Sequence, residues 1–439
     1  MSTTFRPYHP DQSLLLPPSP RDWLPEDHLA FFVSDTVDAL DLSTFYERYE
    51  GDGRRNQPFE PRMMIKLLVY GYATGTFSSR RIAAKLEDDV ALRVLAAGNS
   101  PAHRTIAEFR QRHLEEFEQL FVQVVRMARE LGLVKLGTIA VDGTKVKANA
   151  SKRKAMSYGR MVQEEKRLKR EIHAILRRAR KTDAREDVAF GPDFRGDELP
   201  EELSRRRSRL EQIQAAKKRL EARQEEADRA AGRSKDDQDK PGKPGPKFKR
   251  AFGQPQEKTQ DNFTDPDSRM MKDSKGFEQC YNAQLAVDAE SQLIIATDVI
   301  QTPSDQPILL PMIDKMNTNT GKRPERVLAD AGYRSERNLR ALEEAGIDGY
   351  VALGRENGRA PTHANQPATC RMTRKLKTKR GRSRYRQRKW IAEPVVGWIK
   401  SCVGFRSFSL RGRDKVTAEW CLVALAMNLR RLNARVAWT

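Results

Sequence analysis

Cysteine, histidine and long apolar runs are scarce in this chain of 439 residues, and each scarcity argues against a class of site. The four cysteines lie far apart without a CxxC pair, so neither a zinc ribbon nor a disulfide framework is indicated, and a reducing cytoplasm fits. The six histidines are equally scattered, so we expect oxygen ligands for any metal. No run approaches the roughly 20 apolar residues that cross a bilayer, and we expect neither a membrane span nor a signal peptide.

Positive charge is abundant and uneven. The formal net charge is +21, and two stretches carry it. Lys145–Lys181 holds 14 Lys or Arg against three Glu, and Arg371–Lys389 holds 11 with no acid. Dense basic blocks are typical of a polyphosphate partner, so they favour nucleic acid over a membrane surface, with RNA as a rival to DNA.

The first third of the chain divides into a Pro-rich segment, residues 1–30, and an all-helical domain, residues 31–134. Within the domain, Thr105 and Glu108 have capping-box spacing, which predicts a long helix from about Ile106. Arginines near its start are expected to face outward, as in a helix-turn-helix reading head. They are Arg104, Arg110 and Arg112, and His113 is expected to face outward with them. The alternative is an ordinary helical bundle with solvated arginines.

Residues 151–260 have the pattern of an insertion. Apolar spacing predicts two helices that form an antiparallel hairpin, basic on its first arm, followed by a flexible Pro/Gly/Lys-rich linker at Arg233–Gln256. The hairpin is either a solvated spacer or an arm that grips DNA or a second subunit.

Two acids follow buried strands. Residues 138–141 predict a strand that ends at Asp142, where Gly143 permits a sharp exit, and residues 326–329 predict a second strand that ends at Asp330. Between them, residues 278–287 and 293–300 predict an antiparallel hairpin.

A third acid lies near the C-terminus. The basic segment 371–389 predicts an exposed strand or arm, and a helix follows from about residue 389 to 402. Pro394 limits how this helix begins and places Glu393 in or beside its first turn.

Two Asp at strand ends and one Glu on a helix suit an oxygen-ligand Mg²⁺ site for phosphoryl transfer. Acids on neighbouring strands, about 4.8 Å apart, can share two cations roughly 3.5 to 4 Å apart. Other acids have structural interpretations, because Asp288 fits a hairpin turn, Asp298 a strand's solvent face and Asp305 a helix cap. We expect none of these three to bind metal.

Several longer motifs support a family resemblance. They are AVDGTKVKANAS at Ala140–Ser151, NFTDPDSRMMKDSKGFEQCYNAQLAVD at Asn262–Asp288, LADAGYRSERNL at Leu328–Leu339, RKWIAEPVVGWIK at Arg388–Lys400 and GFRSFSLRGRDKVTAEWCLVALAMNLRRL at Gly404–Leu432. The chain resembles the DDE transposases of bacterial insertion sequences over nearly its whole length.

The resemblance implies an α/β catalytic core of ribonuclease H-like type, with a mixed five-stranded sheet and flanking helices, assembled from residues 135–150 and 261–439. To this core it adds the all-α N-terminal domain, expected to bind DNA, and the inserted helical hairpin. It implies that Asp142, Asp330 and Glu393 are catalytic and hold Mg²⁺, with Mn²⁺ as the alternative and two ions as the expected number.

The implied activity is binding of an element's terminal inverted repeats, DNA cleavage, and joining of the 3′-hydroxyl ends to double-stranded target DNA. The protein is then expected to act as a homodimer or higher oligomer, without a membrane, on the nucleoid of a bacterial cytoplasm. One alternative is an inactive or domesticated DNA-binding protein derived from a transposase. Another is a nuclease that cuts without joining.

A spaced Tyr, Arg, Glu, Lys signature occurs in related transposases. Lys400 follows Glu393 at the family's spacing, whereas Tyr385 and Arg388 each lie one residue farther upstream and Lys389 takes the place of the Arg. The expected DNA contacts are Tyr385, Arg388 and Lys400, together with Lys145, Lys147 and the three arginines of the helical domain.

Overall fold

The structure is a computed structural model that describes residues 19–49, 57–190, 201–234, 250–273, 276–354 and 366–436. Most of the expected Pro-rich segment, residues 1–18, and most of the expected linker, residues 235–249, lie outside the described residues. Within the described ranges no helix is long and apolar enough to cross a membrane.

The N-terminal region is helical, as predicted. The helices that the structure describes here are α1 (Leu29–Ala39), α2 (Ser43–Glu47), α3 (Pro61–Ala73), α4 (Ser79–Asp88), α5 (Val90–Leu95), α6 (His103–Arg112) and α7 (Leu114–Glu130). The predicted capping box is wrong, because α6 begins at His103 and Thr105 lies inside its first turn. The predicted long helix is also two helices, since the chain leaves helical geometry at His113, whose ring is buried against Phe45 and Phe109.

The insertion is a helical hairpin, as predicted. Its arms are α8 (Tyr158–Phe190) and α9 (Glu201–Ala230), and short strands β2 (Ala155–Ser157) and β3 (Gln260–Asn262) pair at its base. The arms are antiparallel, since Lys217 pairs with Glu165 and Arg206 with Glu171. The hairpin has its own small core, formed by Met156, Tyr158, Met161, Leu168, Ile213, Ala216 and Leu220.

A mixed sheet forms the centre of the molecule. Its strands are β1 (Thr138–Lys147), β4 (Arg269–Asp273), β5 (Gly276–Asp288), β6 (Ile294–Ile300), β7 (Arg326–Ala329) and β8 (Asp348–Val351). The order is β4-β5-β1-β7-β8, and β6 also pairs with β5. Strands β1, β7 and β8 are mutually parallel, whereas β5 is antiparallel to β1, β4 and β6. The predicted five strands are therefore six in the described chain, because the polar sequence of β4 gave no strand signal.

Helices cover the sheet and join it to the N-terminal region. They are α10 (Leu309–Thr320), α11 (Glu336–Glu344), α12 (Pro367–Lys377), α13 (Lys379–Arg386), α14 (Arg388–Gly397), which continues as a π-helical turn to Cys402, and α15 (Arg413–Val436). Helix α15 packs against β6 on one side and against α3 and α7 on the other. One continuous hydrophobic core therefore joins the N-terminal helices to the sheet.

Two predictions near the C-terminus were wrong. Residues 371–389, expected to be an exposed strand or arm, are largely helical in α12 and α13, because Pro367 and the Thr378 side-chain cap provide helix starts and the basic side chains project to solvent. Pro394 does not mark the first turn of its helix, since α14 begins at Arg388 and includes Pro394 in its interior.

Candidate active site

The first acid lies within a strand rather than at its end. Pairing between β1 and β7 stops at Val141 and Ala329, yet β1 continues along β5 as far as Lys147. The predicted sharp exit at Gly143 is therefore wrong, because the long strand β5 supports the extra residues. The two acids nevertheless lie on neighbouring strands, as expected. Asp142 and Asp330 each follow the last residue pair, Val141 and Ala329, of two adjacent parallel strands.

Asp142 is a largely buried carboxylate in contact with a guanidinium. Its Oδ1 accepts a hydrogen bond from the Gly143 backbone N–H at 3.0 Å, and its Oδ2 lies 3.1 Å from Nη1 of Arg388. Burial raises the pKa of Asp142 to about 6, with further increases from Asp330 and Glu393, whereas Arg388 acts in the opposite direction. The three acids therefore share one electrostatic environment.

Glu393 approaches this environment from α14. Its side chain is 51% exposed, and its Oε1 lies 3.4 Å from Nη2 of Arg388. The Arg388 side chain, only 13% exposed, thus bonds Asp142 with one nitrogen and Glu393 with another, and it also contacts Tyr385. Its buried Nε has no acceptor among the described residues, so the guanidinium is incompletely satisfied in this position.

Asp330 begins a short turn beyond β7. Its Oδ1 accepts from the Gly332 backbone N–H at 2.8 Å. The next residue, Tyr333, is fully buried, and its hydroxyl donates to Oε1 of Gln284 on β5. Burial raises the pKa of Tyr333 well above its usual value, and Asp305, Asp142 and Asp330 add to the effect, so this phenol stays protonated as a donor.

The donor chemistry of the site fits a hard divalent cation, because carboxylate oxygens are the ligands that Mg²⁺ and Mn²⁺ prefer. As placed, however, the described residues contain no group of three His, Cys, Asp or Glu side chains arranged to hold a metal ion. Arg388 supplies the positive charge between Asp142 and Glu393 instead. A cation shared by these acids therefore requires the guanidinium to move aside.

A buried polar network next to the acids was missed by the sequence analysis. Asn282 and Gln284 on β5 have no exposed surface, and both donate to Oδ1 of Asp305. Asp305 makes no side-chain capping bond, so its expected role as a helix cap is wrong. The two amides at alternate positions within the mainly apolar part of β5, residues 280–287, were the available signal, because buried amides need polar partners.

The lysines expected to contact DNA lie close to this network. Lys145 donates to the Pro303 carbonyl at 3.0 Å and lies 3.7 Å from Oδ1 of Asp305, and burial lowers its pKa. Lys400 donates to the Lys145 carbonyl at 2.7 Å, and Lys147 lies 3.7 Å from Glu278. All three side chains are partly exposed, but only Lys145 contacts Asp305, whereas Lys147 lies at the far end of β1 beside Glu278.

The arginines of α6 differ sharply in exposure. Arg104 is exposed and Arg112 is partly exposed, with its guanidinium 5.7 Å from the Tyr49 ring. Arg110, by contrast, is 6% exposed and donates to the Tyr72 hydroxyl at 2.8 Å and to the Phe77 carbonyl at 3.0 Å. The expectation that Arg110 faces outward is therefore wrong, because it neutralises a polar cluster inside the helical core.

The basic blocks have many exposed side chains. On α13 and the start of α14 the exposed cations are Lys379, Arg380, Arg382, Arg386 and Lys389. On the approach to the hairpin they are Lys152, Arg153 and Lys154. Because α13 leads directly into α14, one of these surfaces adjoins Glu393.

Two family models match the chain. The model for the transposase DDE domain matches residues 248–429, and the model for the transposase domain DUF772 matches residues 18–112. No curated protein and no solved structure gave a significant match. Both models describe transposase domains, which indicates a transposase.

Together the two matches are consistent with a DDE transposase of insertion sequences. The DDE domain implies a ribonuclease H-like core, and the mixed sheet with flanking helices is the corresponding part of the structure. The matched ranges include Asp330 and Glu393 but not Asp142. In the structure, Asp142 lies on the strand adjacent to that of Asp330 and contacts the same arginine as Glu393.

Proposed function

We propose that this transposase binds the terminal inverted repeats of its insertion sequence, cleaves the DNA there and joins the freed 3′-hydroxyl ends to target DNA. Asp142, Asp330 and Glu393 are the catalytic acids. The observation that carries the proposal is their arrangement: two follow the last pair of adjacent parallel strands, and the third contacts the same Arg388 as the first.

The acids are proposed to hold two divalent cations, Mg²⁺ or Mn²⁺, of the kind that DDE transposases generally use. Bound there, the cations supply Lewis-acid stabilisation of the charge that develops at the scissile phosphorus. Asp142 and Asp330 are fixed by the sheet and by backbone N–H donors, whereas the half-exposed Glu393 on α14 is free to adjust. Asp142 and Asp330 therefore set where the cations bind, and Glu393 moves to complete their ligands.

DNA is the proposed partner, held by the exposed cations of α13 and of residues 152–154 and by Lys145, Lys147, Tyr385, Arg388 and Lys400 around the acids. Their charge offsets the repulsion between phosphate and three carboxylates. A homodimer or higher oligomer is proposed, since an element's two ends must be brought to one complex.

A strand-transfer assay tests this function directly. The purified protein is incubated with Mg²⁺, a supercoiled target plasmid and a labelled fragment that carries the DNA flanking the coding region. We expect nicks at the element ends and labelled fragment joined to plasmid. Cleavage without joining would instead identify a nuclease, and binding without either product an inactive DNA-binding protein.

Arg388 provides a separate prediction about cation binding. Replacing it in Arg388→Gln removes the positive charge that Asp142 and Glu393 share, so the acids become free for a metal. We expect Mn²⁺ affinity to rise about tenfold, which corresponds to roughly 1.4 kcal/mol, and the melting temperature without metal to fall. Isothermal titration calorimetry and thermal unfolding measure the two quantities.

The matched control is Arg386→Gln, which changes the same charge at an exposed position two residues earlier. Its Mn²⁺ affinity should equal that of the wild type. Unchanged or weaker Mn²⁺ binding in Arg388→Gln would show that the guanidinium does not compete for the acids.

A further inference from the structure

A fourth carboxylate, that of Asp305, lies beside the proposed catalytic acids without belonging to the triad. It comes in the loop after β6, and its side chain is 17% exposed. As the residue before a short 3₁₀ turn, Asp305 is placed to cap that turn but makes no side-chain capping bond. Its carboxylate instead turns toward the sheet.

One oxygen of Asp305 organises the buried amides of β5. Oδ1 accepts from Asn282 Nδ2 at 2.5 Å and from Gln284 Nε2 at 2.9 Å. Gln284 also donates to Oδ1 of Asn282 at 3.0 Å, and its own carbonyl oxygen accepts from Tyr333. The Asp305 carboxylate is therefore connected through hydrogen bonds to Tyr333, the last residue of the short turn that Asp330 begins.

The other oxygen of Asp305 faces Asp330 across a glycine. A Cβ on Gly332 would lie 2.8 Å from Oδ2 of Asp305 and 3.0 Å from Oδ1 of Asp330. A Cβ on Gly143 would lie 2.5 Å from Nε2 of Gln284 and 2.8 Å from Oδ1 of Asp305. Both distances to Asp305 are shorter than Cβ atoms show in proteins, so a side chain at either position would collide with the Asp305 carboxylate.

Both glycines leave room for side-chain atoms that a Cβ would displace. Gly143 follows Asp142 directly and Gly332 follows Asp330 by two residues, and neither has a positive φ that would itself require glycine. Space for the Asp305 carboxylate explains Gly332, and space for this carboxylate together with the Gln284 amide that donates to it explains Gly143. The Asp305 carboxylate therefore packs against the backbone just after Asp142 and just after Asp330.

We propose that Asp305 is a positioning residue that acts through Asp330 in divalent cation binding, an inference that rests on the proposed function. The negative charges of Asp305 and Asp330 repel each other when no cation is present. A bound cation is attracted to both, so the charge of Asp305 strengthens cation binding at Asp330. Its amide contacts fix the Tyr333 turn that presents Asp330. Lys145, 3.7 Å away, is the nearby cation that partly offsets this charge.

The test is Mn²⁺ affinity of the full-length Asp305→Asn variant, measured by electron paramagnetic resonance of free Mn²⁺. Asparagine has the same shape, and its carbonyl oxygen can still accept from both β5 amides, so the fold is retained. We expect affinity to fall about 10- to 100-fold, as for other groups that support metal ligands. Without metal, the melting temperature should change little, because the repulsion from Asp330 and the attraction to Lys145 are removed together.

Asp288→Asn is the matched control. Asp288 is also buried and accepts hydrogen bonds from Ser291, but it caps the β5–β6 turn. The Asp288→Asn substitution should lower the melting temperature and leave Mn²⁺ affinity unchanged. A merely structural Asp305 would behave in the same way as this control, and that result would overturn the inference.

Asp142→Asn separates the inference from the proposed function. If it binds Mn²⁺ as the wild type does, the proposed function itself is wrong. If it loses binding while Asp305→Asn does not, only the role of Asp305 is refuted.

A second pair of variants tests the shared space. Gly332→Ala should lower the melting temperature, and the same change made in an Asp305→Ala background should lower it by less, because one of the two colliding carboxylates is gone. Equal losses in both backgrounds would contradict the assignment of Gly332 to Asp305.

Discussion

Asp142→Asn and Glu393→Gln are each expected to slow DNA cleavage by about a thousand-fold or more, the rate equivalent of the several kcal/mol that a catalytic metal supplies. Both substitutions keep side-chain shape and remove a charged ligand. Asp142 is the more severe case, because it is held rigidly in β1 and its neighbour Asp330 depends on the same cation to offset their repulsion.

DNA binding should survive both substitutions, since each removes a negative charge from a surface that meets phosphate. Electrophoretic mobility shifts on the end fragment measure binding, and product formation over time measures cleavage. Asp314→Asn and Glu344→Gln, both at exposed helical positions, are matched controls that should cut at the wild-type rate. Wild-type cleavage by Asp142→Asn would refute the proposed role of this acid.

Arg110→Ala is expected to lower the free energy of unfolding by roughly 3 to 5 kcal/mol, the usual cost of removing one partner of a buried charged pair. Arg110 donates to the Tyr72 hydroxyl, which in turn lies 3.2 Å from Oε1 of Glu419. Glu419, on α15, is almost fully buried and accepts from the backbone N–H groups of Ser409 and Leu410. The chain of contacts joins the helical domain to the catalytic core.

Arg104→Ala is the control on the same helix. Arg104 is exposed, so its substitution should change stability by no more than about 0.5 kcal/mol. If α6 is a DNA-reading helix, Arg104→Ala also weakens binding to the end fragment. Chemical denaturation of both variants decides the matter, and equal stability of Arg110→Ala and the wild type would contradict the buried-pair account.

The placement of the acids followed from the sequence because it depends on local patterns. The apolar runs before Asp142 and Asp330 are short and strongly β-forming, and parallel strands carry their ends to one edge of a sheet. The hairpin of β5 and β6 was equally predictable, since its turn residues separate two apolar strands. Neither result required knowledge of distant contacts.

Features that depend on distant partners were not predictable. The strand β1 extends past Asp142 because β5 pairs with it from more than 130 positions later, and Gly143 is explained by the side chains of Gln284 and Asp305. Arg110 had the same appearance as its exposed neighbours, because only the positions of Tyr72 and Glu419 make its burial favourable. Sequence spacing carries no information on such pairings.

Charge density misled the prediction for residues 371–389. Repulsion among cations argues against packing, but the helices α12 and α13 need to bury only one narrow face. Ala368 and Met372 supply that face on α12, while the basic side chains remain in solvent. A dense basic run is thus compatible with a helix that packs on a core.

The most direct measurement is an anomalous-scattering map of Mn²⁺ bound to the protein in a crystal with its end DNA. The account predicts manganese peaks ligated by Asp142, Asp330 and Glu393, with the Arg388 guanidinium displaced from between the acids. Manganese bound elsewhere, with Arg388 still joining Asp142 to Glu393, would contradict it.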